Sequence, residues 1–356
     1  MPAFNPTEIK KIDLELGMFD EAKSRNLSLT DYIGELEVEA GFDPGSELGQ
    51  SMDPFERQLA AHGLAVNKEA ALVEDFFKTS SSKILFPEFI NRNVFTGMNL
   101  GKLDLRLADM YTASQKVGSG AVKQIGLDFD KEKVGAKKVA QGAFFPKVSV
   151  DAKDNTIGLD KVGLEVNFSY EAIRRMQVIK AAIIFQRIGF RLRRDVTKQA
   201  LKVLISGDGN TGSASPTGTT ATTTYTYADL VSALFQFAEG HEASHIVMHP
   251  TMLEKLLTDA TNFPQFQSRT LLESFMQTGN LFDLFGRAIR THLDHAQDAI
   301  TMFEKDTCLE LYEEAGGQLT EAKRIIDQQI EKTVISYVFA FGKMFQAASY
   351  HQTLKT

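Results

Sequence analysis

Three histidines are the first residues whose spacing suggests chemistry. His241, His245 and His249 recur at intervals of four, and on one helix this spacing would bring their imidazoles to the same face, where they could bind zinc. The segment "HIVMHP" is instead typical of a buried strand, and Gly240 ends the helix before it. We therefore interpret these histidines as hydrogen-bonded structural residues, and we expect no metal and no cofactor.

The glycine-rich stretch "ISGDGNTGSASPTGTTATTTYT" at 205–226 raises the question of phosphate binding. A phosphate loop of the P-loop type places its glycines and a lysine directly before a helix, whose N-terminal amides then meet the phosphate. Here the glycines follow a helix and no lysine comes after them. Gly207 and Gly209 suit a helix C-terminus, where left-handed conformations are needed. We interpret the threonine-rich part, 217–226, as a mobile loop or an edge strand.

Other residue sets that could carry catalysis are incomplete. The segment "SSSK" (80–83) has a Ser-x-x-Lys spacing, but a run of serines produces that spacing by chance. The acidic segment "DFDKE" (128–132) lacks the other ligands of a calcium loop. Cys308 is the only cysteine, so no disulfide forms within the chain, and we interpret it as a small apolar residue. We therefore predict that the protein is not an enzyme.

The composition is that of a folded protein without membrane spans. The 356 residues allow two domains, or one body with large excursions, and 43% hydrophobic with 24% charged residues is ordinary for such a protein. A formal net charge of −7 argues against non-specific nucleic-acid binding by the whole surface, but not against a local basic patch. No stretch reaches the ~18 apolar residues of a membrane helix, and acids interrupt the N-terminus, so we expect neither a membrane span nor a signal peptide.

One long helix is the clearest predicted element. It covers 169–206 with Ser169 as its N-cap, and at ~1.5 Å per residue it would span ~57 Å, more than the ~40 Å of a compact body. Gly189 would allow a bend. Its apolar ridge comprises Phe185, Ile188, Leu192, Val196 and Val203. Its basic stripe comprises Lys180, Arg187, Arg191, Arg194, Lys198 and Lys202.

The six basic residues of the stripe fall within roughly 80° of one another around the helix. Three roles are open for them: a solvated face, pairing with acids of a neighbouring copy, or contact with a polyanion such as packed DNA.

The segment before this helix predicts a long charged hairpin over 118–168. Short runs of alternating character, "AFFPKVSVD" (143–151) and "IGLDKVGLEVNFS" (157–169), favour strands with one wet face. The apolar content is too low for a central sheet, and an isolated hairpin is marginal in water. We expect it to be stabilised by lying on another molecule.

The remaining segments divide into four ranges. Residues 1–83 predict an extended arm without a large core, carrying short helices such as "SMDPFERQLAAHG", where Asp53 would be the cap and Pro54 the first helical residue. Residues 84–117 predict strands and turns, punctuated by Pro87 and Gly97. Residues 207–305 predict an α/β unit, compact from 227 onward.

Residues 306–356 predict a return to β structure. It would begin with a strand that ends in a Gly-Gly turn at 316–317, followed by a long strand over 328–349 that is covered on both faces.

The order of these parts resembles the major capsid proteins of tailed bacteriophages, which share the HK97-like fold. The resemblance covers 84–356 and is carried by "FSYEAIRRM" and "LKVLISGDG" at the ends of the long helix, by "HIVMHPTMLEKLL" and "LFGRAIRTHL", and by the final strand. It implies an α+β fold. In that fold, 118–168 is the E-loop, 169–206 is the spine helix of the P (peripheral) domain and 207–305 is the A (axial) domain. The segments 84–117 and 306–356 would complete the P domain.

The resemblance implies a protein of the virion, present in the host cytoplasm during assembly. Copies would assemble into hexamers and pentamers of an icosahedral shell around double-stranded DNA, bound without sequence specificity. Scaffolding, portal and decoration proteins would be further partners, and no membrane would be involved. The spine helix lies near the inner surface in this family, which favours DNA as the partner of the basic stripe.

The E-loop would lie over the adjacent subunit. Its candidate contacts between subunits are Lys131, Lys133, Lys137 and Lys138. Some family members cross-link lysine to asparagine, and this sequence does not show whether that occurs here. The N-terminal segment is shorter than the cleavable scaffolding domain of some members, so we expect a retained N-terminus and a separate scaffolding protein or none.

Two alternatives differ from a phage shell. An encapsulin compartment has the same fold and encloses an enzyme cargo, but the long arm and extended hairpin disfavour it. A soluble α/β enzyme would use 227–305 as its catalytic unit and would be stable as a monomer or dimer.

Overall fold

The computed structural model describes residues 9, 11–15, 17–25, 27–64, 71–101, 103–118, 120–127, 138–141, 144, 150–210, 213–237, 240–264, 286–325 and 330–355. The chain divides into two compact units. Unit 1 comprises Met1–Leu100, Lys161–Arg193 and Ala315–Tyr337, and unit 2 comprises Gly101–Asp160, Arg194–Glu314 and Val338–Thr356.

The elements are numbered in chain order. The α-helices are α1 (Met18–Ser24), α2 (Leu29–Glu39), α3 (Glu47–Ser51), α4 (Pro54–Ala61), α5 (Ser80–Met98), α6 (Tyr170–Arg175), α7 (Val178–Ser206), α8 (Tyr227–Leu234), α9 (Pro250–Thr258) and α10 (Lys305–Cys308). The strands are β1 (Ala113–Val117), β2 (Ala121–Leu127), β3 (Val150–Gly158), β4 (Asp160–Ser169), β5 (Thr217–Thr219), β6 (His245–Met248), β7 (Ala288–Thr291), β8 (Ala299–Phe303), β9 (Leu309–Ile325), β10 (Ile330–Lys343) and β11 (Ser349–Thr353). Within the described ranges, no helix combines the length and apolarity needed to cross a membrane.

The short helices near the N-terminus form as predicted. In α4, the Asp53 carboxylate accepts a hydrogen bond from the Glu56 amide at 2.8 Å, and Pro54 occupies the first turn. Gly63 follows the helix with φ of 73°. These local signals are sufficient to place the ends of the helix, because a cap satisfies amides that the helix itself leaves unpaired.

The prediction that this segment lacks a large core is wrong. Leu29 and Ile33 of α2 and Phe55 and Leu59 of α4 are buried in the same apolar cluster as the residues of α5. The Arg92 guanidinium of α5 adds an ion pair with Asp53 and lies 4.4 Å over the Phe55 ring. The helices therefore belong to unit 1, because their apolar faces are marginal without a partner and find one in their own chain.

The prediction of strands and turns at 84–98 is also wrong, because these residues belong to the 19-residue helix α5. Pro87 lies inside the helix, where it removes one backbone donor. Leu85, Phe86 and Ile90 are fully buried around it. Burying each such side chain contributes about 1.5–3 kcal/mol, which outweighs the cost of the proline.

The core of unit 1 is built from phenylalanines. Phe76 and Phe86 have ring centroids 5.5 Å apart, and Phe168 lies 5.6 Å from Phe185 of α7. Phe89 contacts Phe185 in an edge-on arrangement at 6.2 Å. These edge-on and tilted pairs join α5, α7 and the end of β4 in one cluster.

The long helix is interrupted, which corrects the prediction of one helix over 169–206. Ser169 does cap its beginning, accepting from the Ala172 amide at 3.2 Å. The helix then stops at Arg175, and Gln177 forms an antiparallel bridge with Leu72. The amide of Val73 donates to the carbonyl of Met176 at 2.9 Å, so a distant segment takes up a backbone group that a continuous helix would use itself.

Two glycines mark the closest approach of α5 and α7. A Cβ added at Gly97 would lie 2.0 Å from the Gln186 carbonyl oxygen, and one added at Gly189 would lie 2.0 Å from that of Val94. Gly189, expected to allow a bend, therefore serves helix packing, because only a residue without a Cβ fits between the two backbones.

Unit 2 contains a five-stranded sheet in the order β5-β11-β8-β6-β7. β6 pairs in parallel with β7 and antiparallel with β8, and β11 adds antiparallel to β8. The buried strand predicted at "HIVMHP" is confirmed as β6, and the α/β unit predicted from 227 onward contains α8, α9, β7 and β8. The helix predicted to run to Gly240 ends earlier, at Leu234.

Two predictions about the threonine-rich and glycine-rich segments are also tested. The segment 217–219 is an edge strand, β5, as one of the two alternatives expected. The Gly-Gly turn at 316–317 is wrong, because β9 continues through it to Ile325.

The charged hairpin is present in part. β2 and β3 pair antiparallel from Ala121↔Gly158 to Leu127↔Val150, with a register shift between Lys123 and Ile125. The second strand expected at 157–169 does not stay in the hairpin: β4 belongs to a separate sheet with strand order β1-β9-β10-β4. Within unit 1, Gly163 of β4 lies against the backbone of Ile335 in β10.

We predict that Gly189→Ala destabilises the chain. Alanine raises helix propensity by about 1 kcal/mol, but its methyl group would overlap the Val94 carbonyl, and overpacking of this kind costs about 1–3 kcal/mol or more. Urea unfolding of the unassembled chain should show a lower midpoint. Gly17→Ala is the matched control, since no atom lies within 4 Å of its added Cβ. Equal midpoints for both variants would contradict the role given to Gly189.

Candidate functional site

The basic stripe lies on α7 and faces solvent. Its residues Lys180, Arg187, Arg191, Lys198 and Lys202 are exposed, and Arg194 is partly exposed. Phe185, Leu192 and Val196 of the predicted ridge are buried, whereas Ile188 and Val203 are partly buried. The periodicity of the sequence therefore assigned the faces of this helix correctly.

Asp294 neutralises part of the stripe in unit 2. Its carboxylate accepts a hydrogen bond from Arg194 Nε at 2.6 Å and lies 3.6 Å from Lys198 Nζ. The bond from Arg194 holds the pKa of the Asp294 carboxyl below its usual value. Asp294 is 100 residues from Arg194, so the sequence alone gives no signal for this pair.

Arg193 is the basic residue of α7 that does not face solvent. Its guanidinium is buried in unit 1 and donates to the carbonyl oxygens of Met98, at 3.3 Å, and Leu100. It also lies 4.6 Å over the Phe190 ring. A cation at the C-terminus of α5 satisfies carbonyls that the helix leaves unpaired. Its position beside the ridge, rather than in the stripe, is the sequence signal for burial.

The N-terminal half of α7 also exposes three isoleucines. Ile179, Ile183 and Ile184 are 38%, 55% and 43% exposed. Within the described part of the chain, no ion pair involves Lys180, Arg187 or Arg191, which lie among these isoleucines. This half of the stripe is therefore a mixed apolar and basic surface.

The candidate lysines of the hairpin are only partly described. Lys138 is exposed. Lys131, Lys133 and Lys137 lie outside the described residues. The described hairpin residues Ile125 and Phe144 are 71% and 95% exposed, so large apolar side chains point into solvent there.

Polar contacts hold the hairpin to the loop that follows α7. The Asn155 amide of β3 donates to Asn210 Oδ1 at 3.0 Å, and Asn155 Nδ2 donates to the Gly209 carbonyl at 2.6 Å. Gly207 and Gly209 have φ of 85° and 90°, which confirms their assignment to a helix C-terminus. The glycine-rich stretch thus positions the base of the hairpin.

Lys343 ends β10 in a buried polar cluster. Its ammonium donates to the Leu204 carbonyl and Ser215 Oγ, each at 2.9 Å, and to Ser349 Oγ at 2.6 Å. Burial lowers the pKa of Lys343 to about 8. Nearby Cys308 is fully buried, and burial raises the pKa of its thiol to about 12, as fits a packing residue.

The histidines have separate hydrogen-bond partners, as interpreted from the sequence. His241 Nδ1 lies 2.6 Å from Glu304, His245 Nδ1 lies 2.9 Å from Ser244 Oγ, and His249 accepts from the Thr251 amide as the cap of α9. Among the described residues, no group of three or more His, Cys, Asp and Glu side chains is placed to hold a metal ion.

A family model described as phage capsid protein matches residues 154–341, more than half of the chain. The match includes all of α7 and the five-stranded sheet except β11. The chain belongs to the phage capsid protein family. A comparison with curated protein sequences finds no match.

Three solved particle structures are similar to this phage capsid protein. The capsid of an empty GTA particle is 12% identical, with 72% of this chain and 94% of that chain covered, at a TM-score of 0.50. A virus-like particle from Pyrococcus furiosus is 12% identical, covering 74% and 98%, at 0.45. The capsid of cyanophage P-SCSP1u is 13% identical, covering 72% and 90%, at 0.47.

The α+β, HK97-like fold expected from the order of the sequence segments is confirmed. The protein is a capsid shell protein and a component of the phage virion.

The buried ammonium of Lys343 gives a prediction for pH dependence. Its folded pKa of about 8 lies below the ordinary 10.5, so between these values the unfolded chain binds more protons and stability rises with pH. In Lys343→Met this contribution is absent, while Ser215 Oγ still contacts Leu204 O and Ser349 Oγ. Relative to that variant, the wild type should gain on the order of 3 kcal/mol across this window.

Denaturant unfolding at several pH values measures this difference. Lys116→Met, at an exposed lysine of unit 2, controls for the loss of a lysine as such. A difference between wild type and Lys343→Met that stays constant with pH would show that Lys343 does not titrate as described.

Proposed function

We propose that this capsid protein assembles into hexamers and pentamers of an icosahedral shell that encloses double-stranded DNA. The observation that carries the proposal is the family match over 154–341, which spans the long helix and most of the four-stranded and five-stranded sheets. The fold shared with the capsid of the empty GTA particle supports it. The role is structural and non-enzymatic, in the virion and, during assembly, in the host cytoplasm.

In this proposal the segments keep the roles assigned from the sequence. The hairpin within 118–168 lies over an adjacent subunit, and the segment 207–305 points to the axis of the capsomer. Exposed Ile125 and Phe144 support a covering partner for the hairpin, because an uncovered apolar side chain loses the gain of burial. Lys131, Lys133, Lys137 and Lys138 would pair with acids of that subunit, each pair contributing about 0.2–1 kcal/mol.

We assign DNA contact to the C-terminal half of the stripe, Arg194, Lys198 and Lys202. From Arg194 to Ser206 the exposed positions, Asp195, Lys198, Lys202 and Ser206, are all polar, as suits a wet phosphate surface. Lys198 and Lys202 line an open pocket of ≈ 350 Å³ whose wall includes Asp294 and His295. Contacts of this kind bind phosphates without sequence specificity.

Scaffolding, portal and decoration proteins are the further partners we propose. Electron microscopy of particles from expressing cells tests the shell directly, and their content separates the alternatives. Genome-length DNA inside supports a phage shell, and a protein cargo would support an encapsulin compartment. A stable monomer or dimer that forms no shells would contradict the proposed function.

We predict that Lys198→Glu with Lys202→Glu lowers the fraction of DNA-filled particles while shells still form. Two positive contacts become repulsive toward phosphate, and the shell contacts are unchanged. The measurement is the ratio of filled to empty particles after density-gradient separation. Lys116→Glu with Lys355→Glu, both at exposed lysines of unit 2, changes the net charge equally and should leave that ratio unchanged. Parallel loss of shells and of DNA would assign the C-terminal half to subunit contacts instead.

A further inference from the structure

The N-terminal half of the stripe differs in character from its C-terminal half. Ile179, Ile183 and Ile184 are exposed there and share a face of α7 with the basic residues. At 100° per residue, Ile179 and Ile183 lie along one edge of this face, and Ile184 lies at the other side of Arg187. We call Ile179, Lys180, Ile183, Ile184, Arg187 and Arg191 the isoleucine–basic face.

Contact with solvent or with DNA alone does not explain why these isoleucines are exposed. Phosphate contacts are made by charged and polar groups, and a solvated face gains nothing from exposed aliphatic side chains. A helix face on which exposed aliphatic side chains flank charged ones is typical of a contact between proteins. The observations therefore favour a protein partner for this half of the helix.

A complementary surface is present on α2 of the same chain. Asp31, Glu35 and Glu39 are exposed on one face of that helix, and Val38 lies beside them with 50% of its surface exposed. These four residues fall within about 100° around the helix. We call them the acidic face. Glu35 pairs with Arg25 at 3.2 Å, but both side chains are about half exposed, and such a pair contributes little to stability.

We propose that the isoleucine–basic face of α7 in one copy packs against the acidic face of α2 in a neighbouring copy. The proposal rests on the proposed function, assembly into a shell. Three basic residues then oppose three carboxylates, and Val38 contacts the isoleucines. The two faces extend over about 18 Å and about 12 Å at 1.5 Å per residue, so their lengths are compatible with one helix–helix contact. A neighbouring copy is the partner because each copy carries both surfaces exposed.

Charge reversal with rescue tests this contact. Arg187→Glu with Arg191→Glu should abolish or strongly reduce shell formation, and so should Glu35→Lys with Glu39→Lys, because like charges then face each other. The combined four-residue variant has the wild-type net charge and should recover shells. Asp31 is left unchanged because it hydrogen-bonds Ser28 at the cap of α2. Thermal unfolding of each unassembled variant identifies any variant that fails to fold.

A second experiment does not depend on reversal. The only native cysteine, Cys308, is buried, so we expect any disulfide that forms to involve the introduced cysteines. In otherwise wild-type shells, Val38→Cys with Ile183→Cys should form disulfide-linked oligomers under oxidation. Gln50→Cys with Ile183→Cys, which uses an exposed position on α3 instead of Val38, should not.

Each outcome of these experiments supports or overturns the proposed contact. Rescue together with Val38–Ile183 cross-linking supports the contact. Normal shells from both reversal variants, or absence of cross-links in intact shells, would overturn it while the proposed function stands. Shells that form but lack DNA in Arg187→Glu with Arg191→Glu would assign this half to DNA instead. If the wild-type chain itself forms no shells, the proposed function fails first.

Discussion

The close approach of α5 and α7 at Gly97 and Gly189 is the constraint on which unit 1 depends. Two backbones in contact fix both the distance between the helices and the rotation of each about its axis, because any other rotation would place a side chain where only a hydrogen fits. Phe185 then enters the phenylalanine cluster, and Arg193 reaches the carbonyls at the end of α5. The remaining side of α7 has no freedom to turn inward, so its basic and isoleucine residues face outward as a consequence of packing.

The basic side chains along α7 have different kinds of hydrogen-bond and ion-pair partners. Asp294 accepts from Arg194 and lies near Lys198, so part of the positive charge there is already balanced within the chain. Arg193, which is buried in unit 1, donates to backbone carbonyls at the end of α5. Lys343 is treated in the same way, by a carbonyl and two hydroxyls, and the price is its lowered pKa. In each case, the partner of the cation is set by whether the side chain is exposed or buried.

The sequence predicted the elements whose signals are local. The caps at Asp53 and Ser169, the glycines that end α7 and the buried strand β6 are all confirmed, because a cap or an apolar run acts on its immediate neighbours. Helix α5 was missed because Pro87 and Gly97 break helices in isolation, whereas here apolar burial outweighs the proline and α7 requires the glycine. The break at Met176 was missed because it depends on Leu72, about a hundred residues away.

The candidate site follows the same rule. Helical periodicity was enough to place the stripe residues on one side of α7, since their exposure depends on the angle around a single helix. It could not reveal Asp294, which reaches the stripe from another part of the chain, nor that Lys343 in a strand is buried rather than solvated. The isoleucines were visible in "VIKAAIIFQR", but their exposure becomes evident only when the opposite side of the helix is seen to fill the core.

A contact between shell subunits has to bind other copies of the same chain without binding unrelated proteins. An exposed group of isoleucines alone would attract any apolar surface, whereas charged residues placed among them make that contact costly unless the partner offers opposite charges. The interleaving of Lys180, Arg187 and Arg191 with Ile179, Ile183 and Ile184 has this property. The isoleucines supply apolar area that a partner surface can bury. The cations favour a partner surface that carries carboxylates, so the specificity of the proposed contact comes from charge and its strength from apolar burial. Because each individual contribution is small, we expect a single contact of the proposed kind to be reversible and a closed assembly, in which every copy makes it, to be stable.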